Sequence, residues 1–278
     1  MDTRFTQRDG PPRGNQPLRV WCLLRDQFAH VKPVEEFLGD RAAFVCDSSW
    51  DPSLMLGGAP DVVICVNDVH YDVCRCLDAA REVGIPSIVL QDGILEWRCQ
   101  YENPRLGAGG GAPQHQPALA DKIACIGPSS VRHIASWGNA NKVEMTGMPR
   151  LDSLLAGNVP ERRRPGSRLL VMTAKKPGFT DEQVRITLRS LTDLKNHLDS
   201  LKGVRVTWRL TNDLAARIGV ENRLTSLEGG ELAEQLSLVD AVITTPSTAM
   251  LEAMILDRPV GCLDYHNTPR FVPPAWAI

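Results

Sequence analysis

The stretch AVITTPSTAMLEAM (241–254) decides how this chain is read. A buried strand, Ala241 to Thr244, runs into Pro246, and small hydroxyl residues then open a helix over Ser247 to Leu256. A helix start leaves unpaired N–H groups and partial positive charge pointing out of its first turn. Ser247 and Thr248 add hydroxyl donors there, which makes a seat for phosphate. Glu252, one turn in, is placed to reach a ribose hydroxyl pair beside that phosphate. The same residues also suit an ordinary N-cap, where Ser and Thr are preferred, and Glu252 suits an exposed helix face. The position favours a ligand, because open α/β sheets bind theirs at the carboxyl ends of strands.

The strand–helix rhythm extends outward in both directions. Upstream, strands are predicted at Leu169–Thr173 and Val204–Leu210, with helices over Asp181–Leu201 and Glu231–Leu238; downstream, Pro259–Leu263 is the last strand. An earlier series has strands at Leu18–Leu24, Ala42–Cys46, Asp61–Val66, Ser87–Leu90, Asp121–Ile126 and Val143–Thr146. Helices over Phe28–Leu38, Tyr71–Val83 and Ser129–Trp137 lie between them. Alternation of this kind predicts parallel sheets covered on both faces. The expected organisation is a disordered arm (1–16), a first Rossmann-like domain (17–149), a linker (150–168) centred on Arg162-Arg163-Arg164, and a second Rossmann-like domain (169–278).

Composition narrows the classes. The 278 residues fit two domains at roughly 150 residues each. The net charge of -2 and an aromatic content of 5% argue against a nucleic-acid binder. The arm has no apolar core of a secretory signal, and no run approaches the roughly 20 apolar residues that span a bilayer. A cytoplasmic protein is expected, with peripheral contact at the inner face of a membrane left open. Cys22, Cys46, Cys65, Cys125 and Cys262 sit in apolar runs and are read as reduced, buried thiols. No grouping has metal-site spacing, so neither a metal nor another cofactor is expected.

The segment TPSTAMLEAMILDRPVGCLDY (245–265) resembles the donor-binding segment of GT-B-fold glycosyltransferases and their relatives. Those relatives are the CDP-glycerol glycerophosphotransferases, the capsule polysaccharide transferases and the UDP-GlcNAc 2-epimerases. Upstream, ADKIACIGPSSVRHIASWGNANKVEMTGMPRLDSLL (120–155) is similar to the end of their amino-terminal domain, with Thr146-Gly147-Met148-Pro149-Arg150-Leu151-Asp152 in place of a T-G-x-P-R-x-D-like junction. The resemblance implies two Rossmann-like domains facing across a cleft, an acceptor-binding first domain and a nucleotide-donor second domain. It implies a nucleotide-sugar or CDP-polyol donor as substrate, and a glycan, polyol or lipid-linked acceptor. Such chains usually carry a further closing helix, so the second domain is expected to be truncated after Phe271 to Ile278.

Further candidates follow from strand ends. Lys175-Lys176 follows the first strand of the second domain, where a cation would neutralise a diphosphate, although a solvated pair fits equally. Arg209 stands where relatives carry an Arg-Pro-His-Pro-like stretch; the arginine is kept and the histidine is missing. In the first domain, Gln91-Asp92-Gly93 replaces a His-Gly pair, and Asp92 is the candidate general base toward an acceptor hydroxyl. Asp before Gly also commonly caps a turn. Asn67-Asp68, His70 and Glu96 are acceptor-side candidates, while Gly107 to Gly111 reads as a mobile loop at the cleft mouth. The expected function is transfer of a glycosyl or polyol-phosphate group in surface glycan synthesis. A nucleotide-sugar epimerase and a non-catalytic nucleotide-sugar-binding relative are the alternatives.

Overall fold

A computed structural model describes residues 16–24, 28–66, 68–95, 114–152, 154, 167–178, 180–211, 213–224, 231–263 and 265. Glu96, the Gly107-to-Gly111 loop, Asn67, Asn212, the Arg162-to-Arg164 run, the arm through residue 15 and the tail from 266 lie outside them. The described residues form two compact units, 16–92 with 114–150, and 93–95 with 151–265.

The first unit is built on six parallel strands: β1 (Leu18–Leu23), β2 (Ala42–Cys46), β3 (Val62–Cys65), β4 (Ser87–Leu90), β5 (Lys122–Cys125) and β6 (Val143–Met145). Their spatial order is β2-β1-β3-β4-β5-β6. The connecting helices are α1 (Lys32–Leu38), α2 (Pro52–Gly57), α3 (Tyr71–Glu82) and α4 (Pro128–Ile134). Side chains alternate between the two faces of each strand. Val20, Cys22, Ala42 and Ile64 pack with Val31 and Leu38 on the α1 side. Val63, Cys65, Val89, Ile123 and Cys125 point the other way and are fully buried. There α3 lies against β3 and β4, and α4 against β5.

The second unit has four parallel strands, β7 (Arg168–Met172), β8 (Arg205–Arg209), β9 (Ala241–Thr244) and β10 (Val260–Cys262), in the order β10-β9-β7-β8. Its helices are α5 (Asp181–Ser200), α6 (Leu214–Ile218), α7 (Glu231–Ser237) and α8 (Ala249–Ile255). The central strand β7 is buried on both sides. Val171 packs into a core with Leu191, Trp208 and Leu214 toward α5 and α6. Leu170 and Met172 face Leu236, Val242 and Ala253 toward α7 and α8. Thr180 and Gln183 form a reciprocal capping box at the start of α5, so its first N–H groups are satisfied.

Several boundaries differ from the sequence expectation for identifiable reasons. The helix expected over 28–38 is a short 3-10 turn, Phe28–His30, followed by α1, because Pro33 lacks an N–H and suits only a first turn. The helix after β9 starts at Ala249, two residues late, because Ser247 and Thr248 belong to the turn leading into it. Helices α2 and α6, of 6 and 5 residues, are too short to show periodicity. Cys46 and Cys262 are exposed, not buried: they lie on β2 and β10, the edge strands of their sheets. No described helix is long and apolar enough to cross a membrane.

One device recurs at the amino edge of both sheets. Asp121 precedes β5; its backbone N–H donates to Ser87 O (3.1 Å), while its carboxylate accepts from the Ser87 N–H and hydroxyl, both at 2.8 Å. Asp61 does the same to Arg19 of β1, donating to Arg19 O (2.8 Å) and accepting from Arg19 N–H (2.9 Å). Asp240 repeats it on Arg168 of β7, at 2.9 and 3.0 Å, and also holds that guanidinium at 3.2 Å. The Arg168 hydrogen bonds keep the Asp240 carboxyl below the usual carboxylate range. Ser87 is only 3% exposed, so Asp121→Ala strands a buried N–H. Urea unfolding of that variant is expected to show a loss of about 1–3 kcal/mol, and Asp121→Asn, which keeps an acceptor, a smaller one.

Candidate functional site

In the second unit, strand order reverses beside β7: the chain passes from β7 outward to β8, then returns to place β9 on the other side. Connections leaving β7 and β9 diverge at such a point and open a crevice at the carboxyl edge. The turn 245–248 and the loop from Thr173 leave from this carboxyl edge.

Three threonines stitch this edge together. The Thr211 hydroxyl donates to Ala174 O and the Thr211 N–H donates to Thr173 Oγ1, each at 2.9 Å. The Thr173 hydroxyl is then the donor in its 2.9 Å contact with Thr211 Oγ1. Ala174 N–H donates to Thr245 Oγ1 at 2.8 Å, tying the exit of β7 to that of β9. The loop carrying Lys175 and Lys176 is thereby held at its base, with both lysines exposed. Arg209 ends β8 and is 6% exposed. Glu252 is half-buried within α8.

Ser247 and Thr248 differ from each other. The Ser247 hydroxyl is shielded from solvent and has no hydrogen-bond partner among the described residues. Thr248 is the N-cap of α8, but its own backbone is already helical (φ −60°, ψ −25°) and its side chain makes no capping bond. Its Oγ1 instead accepts from Ile94 N–H at 3.2 Å, which leaves the hydroxyl proton to donate elsewhere. A Cβ at Gly93 would overlap Thr248 Oγ1, so this approach requires glycine. Sequence reasoning had taken Gly93 only as part of a turn.

In the first unit the candidates separate. Asp68 is 6% exposed and is occupied structurally: it accepts from Leu119 N–H (3.1 Å) and His115 N–H (3.4 Å), with His115 Nδ1 at 3.3 Å. Burial alone would push its carboxyl up, but the His115 and backbone hydrogen bonds outweigh that and hold it below the ordinary range. Asn139 completes the network by donating to His115 O (2.7 Å) and accepting from Ala118 N–H (3.0 Å). This assembly pins the segment entering β5. Asp68, expected on the acceptor side, is engaged here with the backbone N–H groups of His115 and Leu119 and with the His115 ring. His70 stands at the N-cap position of α3 with no capping bond, its ring 5.3 Å from that of Trp50. Glu96 lies outside the described residues.

Asp92 follows β4 and is half-buried. It acts electrostatically on His30, as does Arg150. Burial and the Arg150 charge push the His30 imidazole down to about 4, only partly countered by Asp92. His30 and Arg150 were not recognised as site residues in the sequence; the available signal was that each shortly follows a strand, as Asp92 does. Neighbouring Gln91 accepts from Ile126 N–H through Oε1 (3.1 Å) and so links the exits of β4 and β5.

Two outcomes follow. Asp68→Asn weakens charge-assisted bonds to backbone and is expected to cost about 1–3 kcal/mol in thermal or urea unfolding. A variant that unfolds like the original but loses ligand binding would place Asp68 in the site. His30 protonates at about 4 when folded and near 6.5 when unfolded, so the unfolded chain binds more protons between those values. Stability from the neutral imidazole is present above pH 6.5 and is lost as pH falls toward 4. Melting temperatures over this interval should show a slope that His30→Asn reduces.

No protein-family model and no curated protein matches the sequence. Solved structures do match. The putative UDP-N-acetylglucosamine 2-epimerase from Listeria monocytogenes is 13% identical at a TM-score of 0.63, over 90% of this chain and 80% of that one. The UDP-GlcNAc 2-epimerase of Methanocaldococcus jannaschii, solved with UDP-GlcNAc and UDP, is 12% identical at 0.60, over 94% and 86%. The wall teichoic acid polymerase TagF is 12% identical at 0.56, over 88% and 69%. The chain thus has the Rossmann-like, two-sheet GT-B type of fold that these structures share.

Proposed function

We propose that this chain transfers a glycosyl or polyol-phosphate group from a nucleotide-activated donor to an acceptor, in the synthesis of a surface glycan. The observation that carries the reading is the carboxyl edge beside β7, where the shielded Ser247 hydroxyl, without a partner among the described residues, and the donating proton of Thr248 lie by a threonine-stitched strand edge. Such a set of donors at a strand-order reversal suits a diphosphate. Support also comes from the M. jannaschii neighbour, whose structure was solved with UDP-GlcNAc and UDP.

In this reading Ser247 and Thr248 donate to the donor's phosphates, and Glu252 accepts from ribose hydroxyls. Lys175 and Arg209 neutralise the charge that develops on the leaving phosphate. Asp92 takes the acceptor hydroxyl's proton as the acceptor oxygen bonds to the transferred group and the bond to the nucleotide's phosphate oxygen breaks. A carboxylate accepts that proton only while ionised. No metal or further cofactor enters the proposal.

A nucleotide-sugar epimerase is the second reading, favoured by the two epimerase structures above. An epimerase converts its donor with no acceptor present, so product analysis of UDP-GlcNAc incubated alone separates the two.

Calorimetry with UDP and CDP is expected to show binding to the full chain. Ser247→Ala and Gly93→Ala should each weaken it by roughly tenfold, the second by displacing the Thr248 hydroxyl. Heat from neither nucleotide would remove the donor site. Asp92→Asn should lower kcat by roughly a hundredfold or more at unchanged nucleotide affinity; an unaltered rate would refute its role as base.

A further inference from the structure

The first unit contains a cavity of about 340 Å³ on the α1 side of its sheet. On strands β4 and β5 the residues turned to the opposite face, Val89, Ile123 and Cys125, are fully buried. Ile88, Leu90, Lys122 and Ala124, on the cavity side, are only half-buried. The strand register orders its interior: Ile88 lies beside Lys122, and Leu90 beside Ala124, one step closer to the carboxyl edge. The long wall is therefore apolar, made of Ile64, Ile88, Leu90 and Ala124, with Val34 of α1.

The two ends differ in charge. Toward the amino ends of β5 and β6, the partly exposed Lys122 Nζ and Glu144 Oε1 pair at 2.7 Å. At the carboxyl edge the lining becomes polar, with His30, Gln91 and Arg150. At the imidazole the positive charge of Arg150 outweighs the negative charge of Asp92. The Arg150 guanidinium and the hydrogen-bonding groups of His30 and Gln91 suit an anionic group at that edge, with the apolar wall behind it. The volume is in the range of small-molecule sites, which are largely apolar pockets with a few convergent polar groups.

We infer that this cavity binds an amphipathic ligand, its apolar tail along Ile64, Ile88, Leu90 and Ala124 and its anionic head at Arg150 and His30. Linked to the proposed transferase activity, which this extension assumes, the occupant is the apolar end of a lipid-like acceptor whose head is presented near Asp92. The binding itself stands on the cavity alone.

Calorimetry on the full chain tests it with three probes: decyl phosphate below its micelle-forming concentration, decanol, and inorganic phosphate. Decyl phosphate is expected to bind one to one, decanol more weakly, and inorganic phosphate not to compete. Arg150→Gln should weaken decyl phosphate by roughly tenfold and leave decanol unchanged. Ala124→Phe, which fills the wall, should weaken both, as should Thr146→Trp at the exposed rim, a change that spares the core. No saturable binding of decyl phosphate, equal affinity in both filled variants, or full competition by inorganic phosphate would each overturn the inference. Nucleotide titrations separate it from the transferase reading: a chain that binds decyl phosphate but neither UDP nor CDP keeps this site and loses that activity, and the reverse result does the opposite.

Discussion

The reciprocal aspartate clamp at the amino edge of each sheet is the constraint on which the remaining geometry depends. Parallel strands have no hairpin to set their register, and their partners are far apart in sequence. Asp61, Asp121 and Asp240 each stand one residue before a strand and grip both the N–H and the C=O of a residue on the neighbouring strand. A slip of one residue would break these pairs and turn the apolar set of that strand to the wrong face. With the amino ends locked, the carboxyl ends finish level. Met172, Arg209 and Thr244 are then register partners, and the threonines that follow them can bond across the strands.

The two carboxyl edges use polar side chains differently. In the second unit, threonines satisfy one another and the backbone, which keeps the edge rigid while the hydroxyls of Ser247 and Thr248 retain capacity to donate. Rigid donors of this kind bind charge with little reorganisation. In the first unit, carboxylates are divided between tasks. Asp68 is consumed in holding the entry to β5, whereas Asp92 stays half-buried beside a neutral imidazole and a guanidinium. Chemical identity does not distinguish these two aspartates. Burial and the direction of nearby N–H groups do.

Coverage of the sheets differs as well. Strand β7 is enclosed on both faces, and its cores are continuous on each side. The α1 side of β4 and β5 is incompletely covered among the described residues, and the cavity lies there. An apolar surface left half-buried next to an edge that carries the Arg150 guanidinium suits an amphipathic occupant better than it suits water.

Much of the fold was legible in the sequence. All ten described strands overlap segments read as strands from the sequence, and the restart of the rhythm after residue 168 separates the two sheets. Periodicity and burial are local properties, and local patterns read well. Short helices such as α2 were missed because six residues hold too little period, although Asp51-Pro52 was a usable start signal. The sequence also placed the turn 245–248 and Asp92 just past strands, which the structure shows at the carboxyl ends of β9 and β4. Tertiary structure alone decided which of these side chains are available. Thr248 meets Ile94 across 154 positions, and Asp68 meets Leu119 across 51. His30 gains its low proton affinity from burial and Arg150, far along the chain. Hydrogen bonding and desolvation depend on neighbours that folding brings together, and spacing along the chain carries no record of them.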